Sequence, residues 1–314
     1  MKADLDFRPE MFEVADKTDL NVDKIRRPSI KFWPDVWRRL KMNKLAMLGL
    51  TLIIAMIVMA FIGVKLSGYT YFEQNLKLRN THPNMEFWFG TDELGRDMFT
   101  RVWYGARYSL AIGVIAAFID FVIGITYGGI AGISSRRVDA IMMRVAEVIY
   151  SIPYLLIVIL LSVVLTQEGG GSSMFVLILA MSLTGWVPMA ILVRGQVLQL
   201  KESEYSLASE SLGATKSWIL KKHIFPNTLG PILVNVTLTI PRAIFAEATL
   251  GFLGLGLQAP MSSLGTLAND GLAGLAVGNA YQIIIPAIFI SLIMFSFNVL
   301  GDGLRDALDP RLRK

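Results

Sequence analysis

Five ionisable residues sit within or beside long stretches of aliphatic and aromatic side chains: Asp120, Arg144, Glu147, Arg242 and Glu247. A charge in such surroundings is costly unless it is paired or faces water, so it marks either an internal ion pair or a polar path. Arg144 and Glu147 stand at i, i+3, the spacing of a helical ion pair. Asp120, Arg242 and Glu247 are candidates to line a path. The alternatives are that Arg242 pairs with Glu247 and that Asp120 makes a subunit contact. A second charged group lies between Gly90 and Arg107: Asp92, Glu93, Arg96, Asp97, Arg101 and Arg107. It could be a solvated loop, a docking surface or a scaffold, and Gly90, Gly95 and Gly105 predict tight turns within it.

Covalent and hydrolytic chemistry finds no support. There is no cysteine, and the two histidines, His82 and His223, are far apart, which argues against a metal cluster. Gly213-Ala214-Thr215-Lys216-Ser217 is the nearest string to a phosphate-cradling loop. Its lysine does not follow a glycine, and the first glycine is at the wrong distance. No nucleophile elbow, zinc-helix motif or paired-carboxylate arrangement appears. Energy other than an ion gradient must therefore come from another chain.

The elements that would position these charges are membrane helices. Hydrophobic residues make up 54% of the chain and charged residues 18%, with the charges clumped between apolar runs. Runs of about twenty apolar residues span the roughly 30 Å hydrocarbon core as helices, and the strict alternation of barrel strands is missing. The predicted fold is all-α and polytopic, with spans at 45–66, 110–133, 140–166 (broken at Pro153), 174–193 (containing Pro188), 229–255 (interrupted at Pro241) and 281–300. Ahead of them, residues 1–31 read as a cytoplasmic tail, acidic at first and then basic. Residues 32–44 read as an amphipathic interfacial helix with Phe32, Trp33, Val36, Trp37 and Leu40 on one face. Residues 67–109 form an extracytoplasmic segment, 110–303 a core with five spans, and 304–314 a second cytoplasmic tail.

Lysine and arginine favour one side. With the N-terminus inside, the inner segments hold nineteen and the outer segments five, a clear positive-inside bias that places both ends in the cytoplasm. The same bias accounts for the net charge of +5 without a nucleic-acid partner. The long inner connection from Arg194 to Pro226 contains a helix-like stretch at 204–222. It has a face of small residues, a glycine at 213, and then Trp218, Ile219 and two lysines. Such a helix permits close approach of another protein, with Trp218 and Ile219 as anchors.

This inner stretch resembles the cytoplasmic EAA loop of ABC importer permeases. Registered on Gly213, the Glu-Ala-Ala pattern falls on Leu207, Ala208 and Ser209, and Ile224-Phe225-Pro226 supplies its ending. Leu207 stands where the family has glutamate, so Glu204 or Glu210 is left to supply the acidic contact. FGTDELGRDMFTRVWYGARYSL (89–110), RRVDAIMMRVAEVIYSIPYLL (136–156), EATLGFLGLGLQAPMSSLGTLANDG (247–271), NKLAMLGL (43–50) and DPRLRK (309–314) resemble the C-type permease subunit of oligopeptide, dipeptide and nickel importers. The resemblance implies a type I importer permease fold in a bacterial inner or plasma membrane. It implies a second permease partner, two ATPase subunits that bind ATP and magnesium in place of any cofactor here, and an extracytoplasmic binding protein. Peptides would pass along the path, oligopeptides in preference to dipeptides, nickel chelates or haem. The implied coupling residues are Glu204, Leu207, Ala208, Ser209, Glu210, Gly213, Trp218, Ile219 and Pro226. The implied docking or gate residues are Asp92, Arg96, Asp97 and Arg107. An ion-driven secondary transporter is the rival of a different kind, and it would need matching broken helices in two halves.

Overall fold

The computed structural model describes residues 32–167 and 173–308. The tail at 1–31, the outer connection at 168–172 and the closing residues 309–314 lie outside the described residues. Twelve α-helices follow in order among those described: α1 (Phe32–Met42), α2 (Lys44–Leu66), α3 (Met98–Ile133), α4 (Arg136–Ser151), α5 (Tyr154–Gln167), α6 (Ser173–Thr184), α7 (Trp186–Lys201), α8 (Glu204–Ser211), α9 (Lys216–Ile219), α10 (Phe225–Phe252), α11 (Leu264–Ala276) and α12 (Tyr281–Leu308). Strand pairing among them amounts to an isolated bridge between Thr91 and Asp97.

Five helical stretches are long and apolar enough to cross a membrane: Lys44–Leu66, Met98–Ile133, Ser173–Lys201, Lys216–Phe252 and Tyr281–Leu308. A sixth crossing requires α4 and α5 together, and these meet at 75° across Pro153. The bend follows from composition. The helix α4 carries Arg136, Arg137, Asp139, Arg144 and Glu147, whereas α5 has no charge in fourteen residues. At 1.5 Å per residue α5 reaches only about 21 Å, short of a full crossing. The break expected at Pro153 in the span at 140–166 is present, and it separates a polar helix from a short apolar one.

Several expected boundaries move. The second span begins at Met98, twelve residues before Leu110, so the outer segment ends at the Asp97 cap and Arg101 and Arg107 are helical. Gly105 lies inside that helix and makes no turn, whereas Gly90 and Gly95 hold left-handed φ values of +74° and +72°. Pro241 does not interrupt the fifth span, because α10 runs through Pro231 and Pro241. A proline removes one ladder bond, and packing tolerates that in membrane helices. The interfacial helix stops at Met42, and Asn43 then caps α2, accepting the Ala46 N–H at 3.1 Å. The last helix continues to Leu308, so 304–308 is no free tail.

The helix α3 is the axis of the bundle. Gly124, Gly128 and Gly132 recur every four residues on the face toward α7. A methyl group on Gly128 would come within 2.3 Å of the Ala190 carbonyl oxygen. Small residues at this spacing let membrane helices approach closely where lipid supplies no hydrophobic drive. Val36 and Leu40 of α1 pack with Ala307 and Leu308, which brings both ends of the described chain to one end of the bundle. Phe32, Trp33 and Trp37 remain exposed on α1, as an interfacial helix requires.

Candidate functional site: an inner docking segment and a polar cavity

The helix-like stretch at 204–222 is divided at Gly213 into α8 and α9. After Ser211 the chain passes Gly213 at φ +86°, a conformation that costs a residue with a Cβ. Thr215 then caps α9, its hydroxyl accepting the Trp218 N–H at 3.3 Å. A five-residue π-turn, Leu220–Ile224, follows and feeds α10. It lies just before Pro226, whose missing N–H and bulky ring disfavour a regular turn there, and π-turns relieve that conflict. Pro226 therefore sits in the first turn of α10 without breaking the chain direction, and it is exposed.

Glu204, Leu207, Ala208, Glu210 and Gly213 are exposed on this segment, and Ser209 is half-buried. Trp218 is 47% exposed, as an anchor for a partner must be, but Ile219 is 4% exposed. Ile219 packs with Val193, Val197, Leu220, Ile224 and Ile232, so it is a core residue and cannot anchor a partner. Ser206 is buried and bonds the Leu200 carbonyl at 2.8 Å, which fixes α8 to the end of α7. His223 Nε2 lies 3.1 Å from Ser209 Oγ and joins α8 to the π-turn, a role that nothing in the sequence pattern signals.

At the other end of the bundle the charged segment expected to lie outside is tied down. Asp92, 4% exposed, accepts the N–H groups of Leu94 and Arg96 at 2.9 Å, the Arg96 Nε at 2.6 Å, and a short bond from Arg101. Asp270 of α11 accepts from Arg101 at 3.1 Å and lies 3.6 Å from Arg96. Asp97 caps α3 by accepting the Thr100 N–H at 2.9 Å. Arg107 donates to the Ala60 carbonyl at 2.9 Å and lies over Phe61. These contacts are a scaffold. Asp92 and Asp97 are buried and offer no docking surface, which corrects that expectation for both. Asp270 is 169 residues from Arg101, and no spacing rule reaches it. Gln282 at the start of α12 completes the tether, donating to Asn80 Oδ1 and the Thr91 carbonyl at 2.9 Å. Nearer α2, the Tyr69 hydroxyl donates to Glu86 at 3.0 Å, and that carboxylate raises the tyrosine above its ordinary pKa.

Between these ends lies a cavity of about 260 Å³. Asp120 of α3, Tyr150 and Tyr154 beside the Pro153 bend, and Asn235, Thr239 and Arg242 of α10 contribute to its wall. Asp120 is 5% exposed, and its carboxylate lies where a side chain on Gly185 would stand, so the break between α6 and α7 makes room for it. Asn235, Thr239 and Arg242 fall at i, i+4 and i+7, one face of a helix. The sequence identifies Asp120 and Arg242, but Tyr154, Asn235 and Thr239 are visible only once the helices meet.

Glu247 is not part of this cavity. It is completely buried and accepts the Ser109 hydroxyl at 2.7 Å, while Ser109 accepts the Leu264 N–H at 3.1 Å. It joins α10, α3 and α11, which removes it from the path candidates. Neither Asp120, Glu247 nor Arg242 forms an ion pair among the described residues, whereas Arg144 and Glu147 do, at 3.2 Å on an exposed face. Asp139 and Arg194 make a further pair, with a bond of 2.6 Å between α4 and α7.

Comparison with known proteins adds the following. Residues 124–314 match the family described as "Binding-protein-dependent transport system inner membrane component". Residues 31–83 match the "N-terminal TM domain of oligopeptide transport permease C". The chain is 53% identical to the dipeptide transport system permease protein DppC of Bacillus subtilis (strain 168), over 97% of this chain and 94% of that one. It is 51% identical to the oligopeptide transport system permease protein OppC of the same organism, over 97% and 98%. A solved structure of the MetNI methionine ABC transporter in an inward-facing conformation aligns with a TM-score of 0.55 at 20% identity. It covers 65% of this chain and 94% of that one, a likeness of fold.

Proposed function

The chain belongs to the binding-protein-dependent transport system inner membrane component family, and from that premise we propose that it is a permease subunit of an ATP-driven peptide importer. It is a multi-span membrane permease. With a second, homologous permease it encloses the path for peptides that an extracytoplasmic binding protein delivers. Two ATPase subunits, which bind ATP and magnesium, drive the cycle, and this chain contributes no catalytic group. Both termini lie in the cytoplasm, in keeping with the positive-inside bias.

The observation that carries this reading is the exposed α8 with Gly213 and Trp218, held at the end of the bundle away from the tethered outer segment. Glu204, Leu207, Ala208, Ser209, Glu210 and Gly213 form the surface on which an ATPase subunit sits, and Trp218 is its aromatic anchor. The small side chains allow close approach, and the bonds from Ser206 and Ser209 keep α8 from sliding on the bundle. Asp120 and Arg242 line the peptide path. The relatives are named for both dipeptides and oligopeptides, so the proposal covers short peptides as a class.

The test is uptake of peptides of defined length by the complete assembly in vesicles, with and without ATP. ATP-dependent accumulation that vanishes when the binding protein is omitted is the expected result. Uptake by this chain and its permease partner without an ATPase would overturn the reading.

A further inference from the structure

The cavity wall carries two polar atoms that nothing among the described residues satisfies. Asp120 Oδ1 and Tyr154 Oη are both buried, and neither has a hydrogen-bond partner. Unpartnered polar atoms in an apolar interior are costly, and each calls for an explanation. Arg242 is exposed on the same wall and makes no ion pair among the described residues, so its charge is not consumed by Asp120. The cavity therefore presents an acceptor and a cation separately, with the amide of Asn235 and the hydroxyl of Thr239 on the Arg242 side.

An anionic acceptor and a cation that do not pair with one another, in one small cavity, match the two ends of a zwitterion. The volume of about 260 Å³ lies just below the roughly 300–1,000 Å³ of pockets that enclose a drug-sized molecule. That room suits a short, extended segment of peptide. We propose that this cavity reads the free ends of a short peptide in transit, Asp120 and Tyr154 taking the terminal ammonium and Arg242 the terminal carboxylate. The proposal rests on the peptide-permease reading. It adds a selectivity step in this chain, separate from capture by the binding protein.

The experiment uses the complete transporter in vesicles with trialanine, N-acetyl-trialanine and trialanine amide. Asp120→Asn slows trialanine and trialanine amide by about ten-fold, the loss expected of one charge-assisted hydrogen bond, and leaves the acetylated peptide unchanged. Arg242→Gln gives the converse: trialanine and the acetylated form slow, and the amide does not. Equal slowing of every peptide would overturn end recognition while leaving the path assignment standing. Unaltered rates for all three would overturn both. Co-purification of the subunits checks assembly. Should Asp120→Asn fail to assemble, Tyr154→Phe tests the ammonium end in its place, with slowing of trialanine and its amide but not of the acetylated peptide expected, and equal slowing of all three overturning it.

Discussion

Ser209 Oγ and His223 Nε2 lie 3.1 Å apart and join α8 to the π-turn that leads into α10. The Ser209 hydroxyl also donates to the Tyr205 carbonyl at 2.8 Å. Its proton is spent there, so the imidazole must be the donor. Trp218 meets the imidazole edge-on at 5.0 Å between centroids. Replacing either partner removes one hydrogen bond, worth about 1 kcal/mol. Ser209→Ala or His223→Ala is expected to speed amide hydrogen exchange across 204–211 several-fold and to lower uptake per ATP hydrolysed. Unchanged exchange in that segment would show that the bond does not steady α8.

Gly213 holds a left-handed φ of +86°, and no atom lies near its absent side chain. The penalty for substitution is thus conformational and amounts to about 1 kcal/mol or more. Gly213→Asp strains the turn between α8 and α9 and adds charge at the proposed docking surface, and a bulky charge at Ala208 acts on the same surface. Both are expected to uncouple ATP hydrolysis from uptake while the membrane subunits still co-purify. Normal peptide uptake in either variant would contradict docking at this site.

The contact between α3 and α7 sets the shape of the bundle. Gly128→Ala puts a methyl group 2.3 Å from a backbone oxygen that cannot rotate away. Overpacking of this kind costs about 1–3 kcal/mol. Thermal unfolding in detergent should occur at a lower temperature than for the unaltered chain, whereas Gly195→Ala, with open space around it, should leave the midpoint in place.

The chain has no cysteine, so single cysteines report topology without background. Met85 and Leu212 are among its most exposed apolar residues, on the outer segment and beside α8 respectively. In intact cells an impermeant thiol reagent should label Met85→Cys, and Leu212→Cys only after permeabilisation. The reverse pattern would invert the proposed orientation.

Hydropathy is enough to find five of the six expected membrane spans as single apolar stretches, because lipid imposes a length and a composition on any helix that crosses it. The prolines were less informative. Pro153 coincides with a 75° bend, whereas Pro231 and Pro241 lie inside one helix. The difference rests on whether polarity changes across the proline. It does between α4 and α5, and it does not along α10. Of the candidate residues, Asp120 and Arg242 were visible as charges in apolar runs. Glu247 looked the same in the sequence, yet it is sealed between three helices by Ser109. Only packing distinguishes a charge that lines a cavity from one that joins its walls. Ile219 was misplaced for a similar reason: a large apolar residue next to an exposed tryptophan shows its direction only once α9 docks on α7.

The π-turn at Leu220–Ile224 also bears on how movement is passed along. From Lys216 to Phe252 the chain is one helical rod of 37 residues, about 55 Å from end to end. Trp218, the proposed docking anchor, and Asn235, Thr239 and Arg242 of the cavity wall therefore stand on the same rod, on opposite sides of the π-turn. One residue added to that turn would swing the Asn235, Thr239 and Arg242 face by about 100° relative to Trp218, so the winding of those five residues sets the angle between the two surfaces.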